Sequence, residues 1–313
     1  MDMISSGSAD VELELEVATP PVALEDSTEI PATGWLRDWP DYRDYVAEDE
    51  PVLAQLAKAD VADAVTAPPP SVDLRPWFPA VENQGSIGSC TANAGAGVVE
   101  YFERRAHGRH LDASRLFLYK ATRNLLGWTG DTGAFLRTTM AALRLFGVPP
   151  ESYWPYRVAD YDNEPSAFCY AFAQNYQAIT YYRLDPAGTS RAALLDQIKG
   201  NLAAGLPSMF GFTVYASIVQ GASSGKIPIP APGEATRGGH AVVAAGYDDT
   251  IKIKNMPGGP ETTGAFLIRN SWGTGWGQRG YGWLPYEYVT RGLAVDWWSL
   301  VKAEWLNTGE FGL

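Results

Sequence analysis

Hydrophobic and polar positions follow three different rhythms along this chain. In "VELELEV" (11–17) the alternation is strict: Val11, Leu13, Leu15 and Val17 fall on one side of a strand, and Glu12, Glu14 and Glu16 on the other. Two readings stand, a solvated acidic tail and an edge strand added to the body. In "PVLAQLAKADVADAV" (51–65), Val52, Leu53, Leu56, Val61 and Val65 recur at helical spacing, and Pro51 suits a first helical position. "APPP" (67–70) then stops the helix and reads as a linker. Between these stretches, "GWLRDWPDYRDY" (34–45) holds two Trp and two Tyr and is expected to pack rather than stay in water.

From Ser71 the helical rhythm dominates. "CTANAGAGVVEYFERRAHG" (90–108), "SRLFLYKATRNLL" (114–126) and "GAFLRTTMAALRLFG" (133–147) predict three helices. Beyond residue 173 the texture changes. One more helix, "RAALLDQIKGNLAAG" (191–205), precedes short β-rich runs at 208–214, 240–247, 264–270 and 280–286, separated by Gly/Pro turns. Helices followed by strands predict an α+β fold: a helical lobe over about 71–172 beside a β-rich lobe over about 173–313.

Charge separates the first 70 residues from the rest. They hold 16 Asp+Glu against 3 Lys+Arg, a net −13 out of the chain's −12, so residues 71–313 are nearly neutral. A nearly neutral body speaks against nucleic acid as a partner, which requires a basic face. No run approaches the ~18–20 apolar residues of a membrane span, and the acidic first 30 residues lack the features of a secretory signal. Two cysteines cannot form a disulfide framework. The expectation is a soluble, reduced, cytoplasmic protein, with a specialised export route left open.

Cys90 follows the turn "QGSIGS" and opens a helix. The helix N-terminus carries about half a positive charge, which with a nearby imidazolium favours thiolate. Gln84 lies across a turn carrying Gly85 and Gly88, so its amide can fold back to form an oxyanion hole with the Cys90 backbone N–H. His240, in "RGGHAVVAAGY", starts an apolar β run approached by bare glycine backbone; a satisfied core histidine would look similar. Asn270, in "LIRNSWGTGWGQRGYGWLP", can orient an imidazole as the third member of a nucleophile–base–orienter set. "HGRH" (107–110) reads as a solvated helix end rather than a metal site. Cys169 reads as a buried thiol, and "GASSG" (221–225) as a chance match to a nucleophile elbow.

Taken in order, Gln84, Cys90, His240 and Asn270 resemble the papain-like cysteine peptidases, from about Ser71 to about Trp298. The resemblance implies two lobes with the active site between them and a thiolate–imidazolium pair of Cys90 and His240. It also implies that Asn270 orients His240 while Trp272 shields that contact. Peptide or protein substrate would lie extended along Gly133, Gly238 and Gly239. No metal or organic cofactor is expected.

The sequence departs from the family pattern in four places. Ile87 stands where the common motif has a disulfide-forming cysteine, and Thr91 where an aromatic residue usually follows the nucleophile. The stretch from His240 to Asn270 is long, which suggests an inserted hairpin at 247–264. The usual helical pro-segment signature is missing from residues 1–70. These departures suggest a bacterial-type branch. Residues 1–70 are read as a pro-segment or lid, an intramolecular inhibitor of the cleft, with a docking tail or an acidic solubiliser as alternatives. Two other functions stay open: a peptide ligase or acyl transferase using the same thioester, and a non-enzymatic binding module on a peptidase scaffold.

Overall fold

The computed structural model describes residues 32–59, 68–176 and 180–311. The alternating stretch at 11–17 and the second half of the 51–65 helix lie outside the described residues.

The chain begins as an extended strap. Strand β1 (Trp35–Leu36) leads through a turn region to helix α1 (Glu50–Leu56). Pro51 sits in the first helical turn, as expected, and Val52 and Leu56 are buried. Leu53 faces solvent instead, because one short amphipathic helix has only one buried face. The aromatic stretch divides likewise: Trp35 is buried, whereas Trp39 is 68% and Tyr42 94% exposed. Arg37 covers one ring of the pair, lying 4.2 Å from the Trp39 centroid.

The proline stretch is docked on the body. Pro69 O accepts from Tyr247 Oη (2.7 Å) and Pro70 O from the Asp249 amide (3.0 Å). Strand β2 (Ser71–Asp73) follows and pairs antiparallel with the large sheet.

Helix α2 (Cys90–His107) is buried from Cys90 to Phe102, mostly through small and apolar residues, with Asn93 and Glu100 as buried polar exceptions. It ends at Gly108 in the left-handed conformation, with Arg104, Arg105 and His107 at the negative end of its dipole. Helix α3 (Arg115–Leu126) is capped by the Ser114 hydroxyl, which accepts from the Phe117 amide. Residues 133–147 depart from the expected continuous helix. Ala134–Phe135 form strand β3, and only Leu136–Leu145 are helical (α4). The cause is tertiary: β3 pairs in parallel with β1, Trp35 against Ala134. Helix α5 (Ala167–Ala173) completes this side and buries Cys169.

The other side is a seven-stranded antiparallel sheet. Its strands are β2, β4 (Thr180–Arg183), β5 (Ser208–Tyr215), β6 (Thr236–Lys254), β7 (Glu261–Arg269), β8 (Tyr281–Pro285) and β9 (Ala294–Val301). The order is β4-β9-β5-β6-β7-β8, with β2 also on β6. Helix α6 (Arg191–Ala203) bridges β4 and β5. The expected insertion is a hairpin extension of β6 and β7, with Lys252 opposite Thr263 and Lys254 opposite Glu261. The protein therefore has the expected α+β fold of two lobes. Phe210 stacks on Trp297 at 3.9 Å within the β side, and Trp305 on Phe102 at 5.1 Å ties the chain end to α2.

Candidate active site

Sheet register brings the distant residues together. β6 and β7 run antiparallel with Val243 opposite Arg269, so Asn270, one residue past β7, reaches back to His240 near the start of β6. His240 Nε2 and Asn270 Oδ1 lie 2.7 Å apart. Trp272 stacks on the imidazole with centroids 4.5 Å apart and planes 22° apart. The other ring nitrogen, Nδ1, is buried and has no hydrogen-bond partner among the described residues.

Cys90 is fully buried at the first turn of α2. Its thiol is reached by the backbone amides of Ala241, the residue after His240, and of Gly34 in the strap. Burial pushes the thiol up to about 12 and holds His240 down to about 4 despite the Asn270 contact. The direction is opposite to the thiolate-favouring one expected from the helix dipole. Desolvation outweighs the dipole and the amide contacts here.

Gln84 belongs to the same cluster. Its Oε1 accepts from the Ser271 hydroxyl (2.6 Å), which leaves Nε2 to donate to Ile87 O (2.9 Å) and Ala32 O (3.0 Å). Trp272 Nε1 also points at Ala32 O, at 3.3 Å. A strap carbonyl thus occupies the point on which the Gln84 amide converges.

The three glycines expected to line the substrate path line the path of the strap. The Gly34 amide donates to Gly239 O (3.1 Å), and Gly34 O accepts from the Ala134 amide (2.9 Å). Gly133 has φ +71°, and a methyl there would overlap the Gly34 carbonyl. A Cβ on Gly238 would lie 2.6 Å from the Thr33 hydroxyl.

Trp35 fills a pocket between Gly211 and Asp296 that local sequence does not announce. A methyl on Gly211 would overlap its indole, and Nε1 donates to buried Asp296 (2.9 Å). Burial pushes Asp296 up to about 7, opposed by Arg183 and by the indole bonds of Trp35 and Trp298. The strap is held further along by Arg137, which binds Asp38, Asp44 and the Trp39 carbonyl, and by Arg183, whose backbone amide donates to Tyr45 O (2.7 Å). An acid in the middle of the apolar run "AVDWWSLV" was the available signal for Asp296.

Where the resemblance calls for a disulfide cysteine, Ile87 is buried, and both cysteines are free. A hydrogen-bond relay holds this turn instead. The Gly88 amide donates to Asp131 Oδ1 (2.9 Å), Tyr119 Oη donates to the same oxygen (2.6 Å), and the Gly133 amide donates to Tyr119 Oη (3.0 Å).

The profile described as "Papain family cysteine protease" matches residues 68–293. The chain belongs to the papain family of cysteine peptidases. As a papain-family member it carries out cysteine-dependent hydrolysis of peptide bonds in peptide or protein substrates. It is 34% identical over 224 residues to an uncharacterized peptidase C1-like protein of Acanthamoeba polyphaga mimivirus, covering 70% of this chain and 68% of that one. Chymopapain of Carica papaya is 29% identical over 250 residues, 77% of this chain and 62% of its own length. Among solved structures, xylellain, a cysteine protease from Xylella fastidiosa, superposes with a TM-score of 0.72 at 34% identity, covering 90% of this chain and all of that one. Bromelain from Ananas comosus, in complex with the E64 inhibitor, shares the fold at 20% identity and a TM-score of 0.55, covering 74% of this chain and 99% of that one. Among the described residues no helix is long and apolar enough to cross a membrane.

Proposed function

We propose that peptide hydrolysis runs through Cys90, His240 and Asn270, and that residues 32–59 hold the enzyme in an inhibited form. In the open enzyme the Cys90 thiol gives its proton to His240 Nδ1, and the thiolate sulfur attacks the scissile carbonyl carbon. The carbonyl oxygen takes the negative charge and accepts from Gln84 Nε2 and the Cys90 amide. The imidazolium returns the proton to the leaving amine as the C–N bond breaks, leaving a thioester on Cys90. His240 then takes a proton from water, whose oxygen displaces the thiolate. Asn270 accepts the Nε2 hydrogen throughout and keeps Nδ1 facing the reaction, while Trp272 keeps water off that bond.

The observation that carries the inhibited reading is the Ala32 carbonyl, 3.0 Å from Gln84 Nε2. A backbone carbonyl there competes directly with a substrate's. Gly34, seated against Gly133 and Gly239, and Thr33, seated against Gly238, block the extended path, and Trp35 fills the adjoining pocket. Because α1 is built into the core through Val52 and Leu56, the strap works as a hinged cover anchored at its C-terminal end. The test compares hydrolysis of a fluorogenic peptide amide by the full chain and by a chain starting at residue 41, which keeps α1. Faster hydrolysis by the shorter chain is the expected result. Equal rates sink the inhibited reading, and activity that survives Cys90→Ala sinks the catalytic one.

A further inference from the structure

Ser89 stands at the N-cap of α2, the position where a hydroxyl normally accepts from the helix's own amides, yet it makes no such bond. Its Oγ lies 2.6 Å from Tyr156 Oη. Tyr156 Oη donates to the Gln84 backbone carbonyl (2.8 Å). With that proton committed, Ser89 donates to Tyr156, and Ser89 Oγ in turn accepts from Asn93 Nδ2 (3.0 Å). Asn93 Oδ1 accepts from Arg115 Nη1 (3.3 Å), and the Arg115 guanidinium lies 4.1 Å over the Tyr156 ring. The Arg115 guanidinium closes the circuit through an ion pair with Glu82 (Nε–Oε2 2.7 Å), two residues before Gln84, while its Nε and Nη2 donate to Glu151 (3.1 and 2.9 Å).

We infer that Tyr156 is a positioning residue for the oxyanion hole, fixing the distance between the Gln84 loop and the helix start that carries the Cys90 amide. The two oxyanion donors sit on separate segments. The Gln84 segment is held on one side by Ser271, through the Gln84 amide to Ser271 O (2.8 Å) and the Ser271 hydroxyl to Gln84 Oε1. Tyr156 holds the other side, where the loop meets Ser89. Removing its hydroxyl frees the Gln84 carbonyl and the Ser89 hydroxyl together, and the donor pair loosens while Cys90, His240 and Asn270 keep their own contacts.

This inference rests on the peptidase reading, and the experiment separates the two. Hydrolysis of a peptide amide builds a carbonyl oxyanion; alkylation of the same thiol by iodoacetamide, at a saturated carbon, builds none. Both rates are measured on the full-length chain, with Cys90 alkylation read by peptide-resolved mass to exclude Cys169. Strap opening gates both reactions equally, so their ratio reports the oxyanion hole alone. In Tyr156→Phe the ratio of kcat/KM to alkylation rate is expected to fall about tenfold, mainly through kcat, with the melting temperature little changed. In Ser89→Ala, which keeps the Tyr156–Gln84 bond, it falls about two- to threefold. A ratio unchanged in Tyr156→Phe, or hydrolysis and alkylation falling in parallel, overturns the positioning role. Ready alkylation of wild-type Cys90 with no hydrolysis at all overturns the peptidase reading and this inference with it.

Discussion

The indole Nε1 of Trp35 donates to the buried carboxylate of Asp296 at 2.9 Å, across 261 residues of sequence. The contact is one of the strap's anchors: Gly211 has no side chain where the indole lies, and the Gly34 amide just before Trp35 acts on the Cys90 thiol. Truncating a buried Trp to Ala costs about 3–5 kcal/mol, all of it from the closed form if the pocket refills with water. Trp35→Ala is therefore expected to raise peptide-amide hydrolysis at least tenfold, read as initial rates. Unchanged rates would mean that the strap does not limit the enzyme.

Arg137 gives a second handle on the same equilibrium. Its three hydrogen-bond partners, Asp38, Asp44 and the Trp39 carbonyl, all belong to the strap, and its guanidinium also lies 5.6 Å from the Trp298 ring centroid. Breaking such a partly buried charged set costs about 2 kcal/mol. Arg137→Gln should raise hydrolysis about tenfold, and should add little in a Trp35→Ala background that is already open. A loss of activity in Arg137→Gln would place the residue in the open enzyme's machinery instead.

Cys90 makes opening depend on alkaline pH. Closed, the thiol is pushed up to about 12; open, with the helix dipole and His240 acting on it, it falls to its ordinary value of about 8.5 or below. Between these values the closed form holds the extra proton, so the stability this adds to closure is fully present below the open-form value and is progressively lost as pH rises toward about 12. The Cys90 alkylation rate of the wild type, divided by that of Trp35→Ala, should climb above pH 8.5 by up to tenfold per unit. A flat quotient between pH 7.5 and 10 would contradict the linkage.

Glu100 carries a stability prediction away from the site. Buried under the helical side, its carboxyl is pushed up to about 8, with Arg269 and the Ala113 amide opposing the burial. The folded state binds a proton that the unfolded state gives up near pH 4.5, so stability falls as pH rises from about 4.5 through 8. Glu100→Gln keeps an acceptor for Ala113 and removes the titration. It should gain about 1–3 kcal/mol at pH 8 and less than about 1 at pH 5. Equal shifts in melting temperature at both pH values would refute this.

Much of this arrangement is legible in the sequence because its chemistry demands particular residues at particular points. Cys90 at a helix start, His240 beside bare glycines and Asn270 after an apolar strand could each be read locally, as could the α+β order of elements. The contacts that span the chain could not. Residues 134–135 carry helical spacing but pair with the strap, and local periodicity says nothing about a partner a hundred residues away. Tyr156 reads as one more aromatic until its hydroxyl is seen on Gln84, 72 residues upstream. Trp35 and Trp39 look alike in sequence, yet only Trp35 meets a pocket floored by an acid.

In the proposed mechanism Cys90 is the nucleophile and the strap covers it. The direct measurement is intact mass over time after mixing full-length wild type, Trp35→Ala and Cys90→Ala with a peptidyl epoxide. A single adduct is expected, slow on the wild type, at least tenfold faster on Trp35→Ala, and absent from Cys90→Ala. An adduct that persists in Cys90→Ala, or no adduct on Trp35→Ala, would contradict it.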